Sequence, residues 1–380
     1  MKKTKYLMLK VSEANGLILN PDEPSLLITR YSSLLYLFAV YRLLFVKLSV
    51  LGCLFFFIFK GNSFAQSGYP GDWLFSPPTA RSLSLGGVSE TGSASLYFNP
   101  ALLGYTYWKE TSLMRSSLLG DSLFLSSFLS IPVNTKKVIA TGFASLGITG
   151  AEWVDSYGFG NRGTFADRKT SFFAGGCIPF GRFSILGGTL KIVEQEIFNY
   201  SARSFGLDFG YAYSKSEKFI FSFAVQNLIR PVLQFRDEGK KDKFPMNLRM
   251  GINWQAFENL NLLVDVVGEN LTPQSGEKTN YIFLGGIEAT FFEMLKLRAG
   301  WDGSSPSFGT GFNLGKFDFD FTVLLKNEEQ FFTAGIILRW GFMPDFWQKQ
   351  LDAKEKFLKD YSKNLDIEKK YILKKEEDLE

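Results

Sequence analysis

The chain has 380 residues, 46% of them apolar and 21% charged, and this composition excludes a disordered or collagen-like protein. It contains no histidine, which excludes histidine-dependent catalysis and removes the commonest metal ligand. The formal charge of +4 comes from the first 65 residues, because residues 66–380 carry 34 basic and 35 acidic side chains. We therefore expect no nucleic-acid partner. The two cysteines, Cys53 and Cys177, exclude a CxxC metal site.

An export signal is predicted near the N-terminus. Residues 48–59 form an uncharged apolar run after Lys47, and residues 63–65 (S-F-A) supply the small residues that a signal peptidase recognises. We expect cleavage between Ala65 and Gln66. Residues 1–33 fit no part of a signal, and an over-long gene model is one hypothesis for residues 1–65.

The alternative to a signal is a transmembrane helix that begins near Leu34. Such a helix would contain Arg42 and Lys47. Its uninterrupted apolar run is also shorter than the ~20 residues that a helix needs to cross a bilayer. The cleaved signal is the better interpretation.

From Lys109 onward, apolar residues recur at every second position, which indicates β-strands. Phe317, Phe319 and Phe321, for example, alternate with Asp318 and Asp320. Most segments run for about ten residues, the length that a tilted strand needs to cross the hydrocarbon layer, whereas strands of soluble sandwiches average about five or six. An even number of strands is typical of bacterial outer-membrane barrels. The segments are centred near residues 113, 127, 143, 174, 189, 208, 222, 249, 264, 285, 298, 309, 320 and 335.

We therefore predict an all-β fold, a 14-stranded antiparallel transmembrane β-barrel. If the chain enters from the periplasm, the odd-numbered connections are extracellular, and the long ones (149–168, 227–244 and 268–278) are all odd-numbered. The charged residues predicted to face the lumen are Asp208, Arg249, Asp265, Glu288, Lys296, Arg298, Asp318, Asp320 and Arg339.

Three groups of residues are candidate sites of catalysis or nucleotide binding. Asp318 and Asp320 form a candidate carboxylate pair for acid–base catalysis, but compensating ion pairs with the basic residues are the favoured interpretation. Residues 158–163 satisfy G-x-G-x-x-G, yet they precede a strand rather than a helix, so we predict a flexible extracellular loop. Cys177 has no histidine partner for a nucleophilic role. We expect no enzyme, cofactor or metal site.

Two motifs lie between the predicted signal and the first strand. Residues 80–87 spell A-R-S-L-S-L-G-G, and residues 97–103 spell Y-F-N-P-A-L-L. Together they resemble the N-terminal segment of the PorV/PorQ family and, more distantly, of the FadL-type long-chain fatty-acid transporters. The resemblance implies a fourteen-stranded barrel in which residues 66–107 fold as a hatch in the lumen. The residues that carry this motif are Arg81, Gly86, Gly87, Tyr97, Asn99, Pro100 and Ala101.

The last strand has a second resemblance. Thr333, Gly335, Leu338 and Trp340 resemble the recognition signal of the outer-membrane barrel assembly machinery, which is implied as a partner. Such a signal usually ends a protein, but here the barrel, predicted over residues 108–343, is followed by a charged tail. Residues 344–380 are predicted to form a periplasmic helix, either a solvated one or one that binds a partner.

The family resemblance implies two functions. The first is passive transport of a small hydrophobic ligand through a hatch-plugged lumen, in contact with outer-membrane lipid. The alternative is a PorV/PorQ-like component of a protein secretion system that binds cargo or a secretion partner. Both place the protein in the outer membrane of a Gram-negative-type bacterium, with its N- and C-termini in the periplasm.

Overall fold

A computed structural model describes residues 70–118, 122–154, 161–216, 218–235, 241–273, 278–326 and 329–340. The predicted signal, its cleavage site at Ala65 and Gln66, and the predicted tail over residues 344–380 lie outside the described residues. Four short helical elements come first. They are a 3-10 helix over Asp72–Phe75, α1 (Ala80–Ser84), α2 (Ser95–Phe98) and a second 3-10 helix over Pro100–Tyr105.

Sixteen strands follow in the described residues. They are β1 (Lys109–Leu118), β2 (Ser122–Asn134), β3 (Lys137–Val154), β4 (Asn161–Phe180), β5 (Ser184–Ile197), β6 (Tyr200–Ser216), β7 (Phe219–Ile229), β8 (Val232–Gln234), β9 (Lys241–Lys243), β10 (Asn247–Phe257), β11 (Leu260–Glu269), β12 (Asn280–Phe291), β13 (Leu295–Trp301), β14 (Pro306–Leu314), β15 (Phe317–Lys326) and β16 (Glu329–Trp340).

Fourteen of these strands form a closed antiparallel barrel, and β8 and β9 form a separate two-stranded sheet. The barrel closes where β1 pairs with β16, with Lys109 opposite Trp340 and Ser116 opposite Thr333. Each of the fourteen predicted segment centres falls within one barrel strand. The predicted all-β fold and strand count are therefore confirmed.

The two ends of the barrel differ in their connections. At one end, which we call the short-turn end, adjacent strands are joined by tight turns such as residues 135–136 and 315–316, and β1 begins and β16 ends there. At the opposite long-loop end, residues 230–246 join β7 to β10 and contain β8 and β9. Residues 270–279 join β11 to β12 at the same end.

The predicted long loop over residues 149–168 is wrong. β3 continues to Val154 and β4 begins at Asn161, so most of this stretch is an extended hairpin. Pairing beyond Ile148 is irregular, and its register shifts twice before Val154 meets Asn161. These irregularities interrupt the alternation of side chains, and a sequence pattern of period two does not reveal such a strand.

Alternation separates an apolar outer face from a polar inner face. On β15, Phe317 and Phe321 are exposed, whereas Asp318, Asp320 and Thr322 are buried. Other barrel strands also expose large apolar side chains, among them Phe172, Phe205, Ile252, Leu297 and Phe308. The buried polar residues of the strands, by contrast, point into the lumen. No helix among the described residues is long and apolar enough to span a membrane.

Residues 70–107, which we call the inner segment, lie in the lumen and run along its length. At the long-loop end, a Cβ at Gly71 would overlap the ring of Phe244. Midway, the Ser126 hydroxyl of β2 donates a hydrogen bond to the inner segment. At the short-turn end, Gly104 lies against Ile185 of β5. Strands around the closed barrel contact this segment, so it lies inside the barrel.

Candidate functional site: the inner segment and the lumen

The first motif forms a capped helical turn. Thr79 is the N-cap of α1, and its hydroxyl accepts a hydrogen bond from the Ser82 amide at 2.9 Å. Gly86 and Gly87 end the helix with φ of 76° and 81°, a left-handed conformation that favours glycine. The Gly87 amide donates to the Ser82 carbonyl at 2.8 Å. Both glycines of the A-R-S-L-S-L-G-G motif are thus needed to turn the chain within the lumen.

Two pairs of facing glycines in the barrel let the inner segment approach the strand backbone. Gly286 on β12 lies opposite Gly300 on β13, and a Cβ at Gly300 would overlap the amide nitrogen of Gly86. Gly187 on β5 lies opposite Gly210 on β6. A Cβ at either of these two positions would overlap residues 99–101 of the second motif. Any side chain at these sites would displace the inner segment.

Arg81 links the inner segment to the barrel. Its Nε and Nη2 donate to the two carboxylate oxygens of Glu288 on β12, both at 2.9 Å, and its Nη1 donates to Glu90 at 3.1 Å. Glu90 also accepts a hydrogen bond from the Thr79 hydroxyl. Arg298 on β13 donates to Glu288 at 2.6 Å. Two guanidinium groups therefore converge on one buried carboxylate.

The same network continues along the inner face. Arg298 also contacts Asp320 on β15, with Nη1 to Oδ1 at 2.7 Å. On the same strand, Asp318 accepts from Lys296 at 3.3 Å and from Arg339 at 2.7 Å. Asp318 and Asp320 are each held by cations, so the candidate acid–base pair is part of an ion network. The prediction that these lumen charges compensate one another is confirmed.

A second ionic cluster lies on β10 and β11. Arg249 Nη1 donates to the Gly87 carbonyl at 2.8 Å and to Asp265 at 3.0 Å. Asp265 also accepts from the amide and the hydroxyl of Ser89, both at 2.7 Å. The Arg249 guanidinium lies 3.9 Å from the centroid of the Phe98 ring, a cation–π contact. This cluster holds the chain between the two motifs.

A third buried pair lies across β5 and β6. Lys191 Nζ lies 2.8 Å from Asp208, and the Asn227 amide donates to the same carboxylate at 2.6 Å. Asp208 was among the predicted lumen charges, but its partner Lys191 was not. Lys191 lies two residues from Thr189 and two from Val193, and both of these side chains are buried. Because residues two apart on a strand share a face, the period of two places Lys191 on the inner face.

The second motif forms the next turn of the inner segment. Asn99 Oδ1 accepts from the Ala101 amide at 3.1 Å, and Pro100 occupies the first helical position, where its missing amide hydrogen costs no hydrogen bond. Asn99 Nδ2 also donates to the carbonyl of Phe223 on β7 at 3.2 Å. Both polar atoms of the Asn99 side chain are thereby satisfied.

Aromatic side chains pack around Tyr97. Its ring centroid lies 4.9 Å from that of Phe98, 5.9 Å from Phe128 of β2 and 5.1 Å from Phe173 of β4. All four side chains are buried. The Tyr97 hydroxyl is also buried and has no hydrogen-bond partner among the described residues. This aromatic cluster occupies the side of the lumen opposite the Arg81 network and is built jointly by the inner segment and the strands.

Two titratable groups near the ends of the inner segment have shifted pKa values. Burial raises the pKa of the Asp72 carboxyl above its usual value, an effect that the Lys169 ammonium partly opposes. Burial raises the pKa of the Tyr105 phenol to about 12. Both shifts reflect desolvation of the charged form.

The other predicted residues lie on β4 and β16, and among them Gly335 faces Ala80 of the inner segment. Thr333, Gly335, Leu338 and Trp340 all lie on β16, where Trp340 Nε1 donates to the Thr111 hydroxyl at 3.1 Å. Recognition by the assembly machinery stays a prediction. Cys177 is a buried free thiol. Residues 161–163 of the G-x-G-x-x-G motif lie in β4, and the rest of that motif lies outside the described residues. The described residues contain no group of three or more acidic or cysteine side chains placed to hold a metal.

No protein-family model matches the sequence, and no curated protein matches it. Three solved structures are similar in fold. They are the toluene transporter TodX of P. putida (TM-score 0.51, 10% identity, 70% of this chain and 100% of that one), the toluene transporter TbuX of Ralstonia pickettii (0.51, 14%, 70% and 98%) and a FadL homologue of Pseudomonas aeruginosa (0.50, 10%, 70% and 98%).

At such low identity these similarities establish the architecture and leave the PorV/PorQ resemblance a prediction. The chain covers nearly the full length of each neighbour, so the agreement extends around the whole barrel. The protein therefore shares the barrel fold of these three structures.

Proposed function

We propose that the protein is an outer-membrane channel for passive passage of small hydrophobic compounds, with the inner segment as its hatch. The observation that carries this proposal is the aromatic cluster around Tyr97. It lies in the lumen, and half of its rings belong to the inner segment and half to the strands. A movement of the inner segment would therefore open a path with aromatic walls, the lining that pockets for apolar ligands usually have.

Two further features support the proposal. The apolar outer face suits a barrel surrounded by lipid, which supports a location in the outer membrane. Solved channels for toluene share the fold. Fold alone does not determine function, so the aromatic cluster and the hatch are the features to test.

The hatch role rests on how the inner segment is held. The Arg81 network and the Arg249 cluster attach it on the β10–β16 side. Around Tyr97 the rings make apolar contacts, and the backbone carbonyls of Leu96 and Tyr97 accept hydrogen bonds from Thr189 and Gln226. Ion pairs and hydrogen bonds are directional, and apolar contacts can be exchanged for those of an apolar ligand. The ring contacts on the aromatic side are therefore the ones that an apolar ligand can replace when the hatch opens.

Uptake by reconstituted vesicles tests the channel. Vesicles that contain the protein should take up an aromatic hydrocarbon faster than empty vesicles and should exclude a sugar of similar size. Replacing Phe128 and Phe173 together by serine should slow hydrocarbon uptake at least tenfold, whereas Phe172→Ser, on the outer face of the same strand as Phe173, should leave it within twofold. Equal uptake by all three proteins would contradict the proposal.

Deletion of parts tests the hatch. Removing residues 80–105 should increase leakage of small solutes, because a fourteen-stranded barrel is wide enough to need a plug. Removing residues 346–380 should leave uptake unchanged. The secretion alternative predicts the reverse, since loss of the tail would then release a co-purifying partner. That alternative depends on residues outside the described part of the chain and stays a prediction.

A further inference from the structure

A groove of about 750 Å³ lies on the outer face of the barrel, where β13–β16 adjoin β1. The strand register places one row of outward residues across these five strands. In order, they are Leu297, Thr310, Phe321, Ala334 and Arg115. Because Thr310 and Ala334 are short, the surface is low on both sides of Phe321, and the depression over Ala334 lies between Phe321 and Arg115. Its rim toward the long-loop end is formed by exposed Phe308 and Phe332.

Arg115 lies at one end of this groove on an otherwise apolar surface. The guanidinium is exposed, and its neighbours in register are Leu125 on β2 and Ala334 on β16. No carboxylate in the described part of the chain forms an ion pair with Arg115, whereas Arg81 and Arg249 are each paired. A cation without a partner beside an apolar groove is complementary to an amphiphile with an anionic head.

The height of Arg115 along the barrel identifies which lipids it meets. Arg115 lies three residues before the end of β1 at Leu118, at the long-loop end. In bacterial outer-membrane barrels, short turns face the periplasm and longer loops face the exterior. Arg115 then lies close to the head groups of the outer leaflet, whose characteristic lipid is a phosphorylated glycolipid.

We propose that this groove binds one molecule of the outer-leaflet glycolipid lipopolysaccharide. A phosphate of the glycolipid pairs with Arg115, since a guanidinium donates two parallel hydrogen bonds to a phosphate. One acyl chain lies in the depression over Ala334, against Phe321. The orientation used here rests on the outer-membrane location in the proposed function, but the binding does not depend on transport.

Titration of the folded, full-length protein in detergent with purified diphosphorylated lipid A tests the proposal. Native mass spectrometry should detect one bound molecule. Arg115→Gln should weaken binding at least tenfold, and Arg115→Lys less than Arg115→Gln. Ala334→Phe, which fills the depression, should weaken binding without changing the charge. Arg182→Gln removes an exposed arginine at the short-turn end and should bind as the unaltered protein does.

Several results would overturn this inference. The first is an affinity of Arg115→Gln for lipid A equal to that of the unaltered protein. The second is a loss of affinity in Arg182→Gln as large as that in Arg115→Gln. The third is binding of phosphatidylglycerol as tight as that of lipid A, which would indicate general attraction of anionic lipid. Heat-modifiable migration on gels checks that each variant is folded. If Ala334→Phe does not fold, the test compares Arg115→Gln binding diphosphorylated lipid A with the unaltered protein binding dephosphorylated lipid A. Both should bind equally weakly, because each lacks one partner of the guanidinium–phosphate pair. A protein that binds lipid A but does not conduct hydrocarbons would refute the channel alone.

Discussion

Arg81 and Glu288 are 207 positions apart and form a two-point ion pair, with both N–O distances at 2.9 Å. One residue belongs to the inner segment and the other to β12, and both are largely buried. This pair therefore joins the segment in the lumen to the barrel wall. Its neighbours Glu90 and Arg298 extend the contact on both sides.

Breaking this pair should loosen the inner segment. Arg81→Gln leaves Glu288 with one guanidinium fewer, and loss of one partner of a buried pair costs about 3–5 kcal/mol. We expect a corresponding fall in the free energy of unfolding, measured by tryptophan fluorescence in urea, and a rise in ion leakage. The double variant Arg81→Met with Glu288→Met should recover part of the loss. Additive losses in the double variant would show that the two residues are not coupled.

The close approach of the inner segment to β13 gives a steric prediction. Gly300→Ala would place a methyl group on the Gly86 amide, and overpacking of this kind costs about 1–3 kcal/mol. Limited proteolysis should cleave the inner segment of this variant faster. Gly147→Ala on β3 is the control, since a Cβ there has no neighbour within 4 Å. Similar cleavage rates for both variants would argue against tight packing of the inner segment on β13.

The two faces of β15 should respond differently to charge. Phe319 faces outward, and Phe319→Arg should cost about 2–4 kcal/mol if the position is near the bilayer midplane. Phe319→Leu is the control and should be nearly neutral. Folding equilibria in lipid vesicles provide the measurement. An arginine tolerated as well as leucine would indicate that this face does not contact lipid.

On the same strand, Asp320→Asn removes one charge from the lumen. Asp320 accepts from Arg298 at 2.7 Å, so the substitution weakens an ion pair. We expect destabilisation together with increased leakage, whereas Phe319→Arg should destabilise the barrel without opening the lumen. Conductance of single channels separates the two effects, and equal conductance changes would contradict the assignment of faces.

Acidification should tighten the start of the inner segment. The pKa of Asp72 is raised in the folded protein by burial, so the folded state binds a proton more readily than the unfolded state. The packing around Asp72 should therefore strengthen as the pH falls through the raised pKa, and the gain should be complete below the unfolded value of about 3.8. Hydrogen exchange of residues 72–76 between pH 7 and 4, corrected for the intrinsic rate, should show this, and Asp72→Asn should abolish it. Persistence of the effect in Asp72→Asn would exclude Asp72 as its source.

Alternation along the sequence was sufficient to determine the architecture. Side chains on a strand point to opposite faces in turn, so the period of two shows the strand count and the side on which Phe317 or Asp318 lies. The glycines and capping residues of the two motifs likewise indicate tight turns before β1, because their conformational preferences are local. The sequence also placed nine charged residues correctly on the inner face.

Only the tertiary structure shows which charged residues pair with one another. Arg81 pairs with Glu288, and Lys191 with Asp208, because strand register and the path of the inner segment bring together residues that are distant in sequence. The extended β3–β4 hairpin and the groove beside Arg115 leave no periodic pattern in the sequence. The hairpin depends on irregular strand pairing, and the groove is formed by residues from five strands. The alternation of side chains along a strand determines which face of the barrel each residue occupies. Closure of the barrel determines which of the inward-facing residues meet.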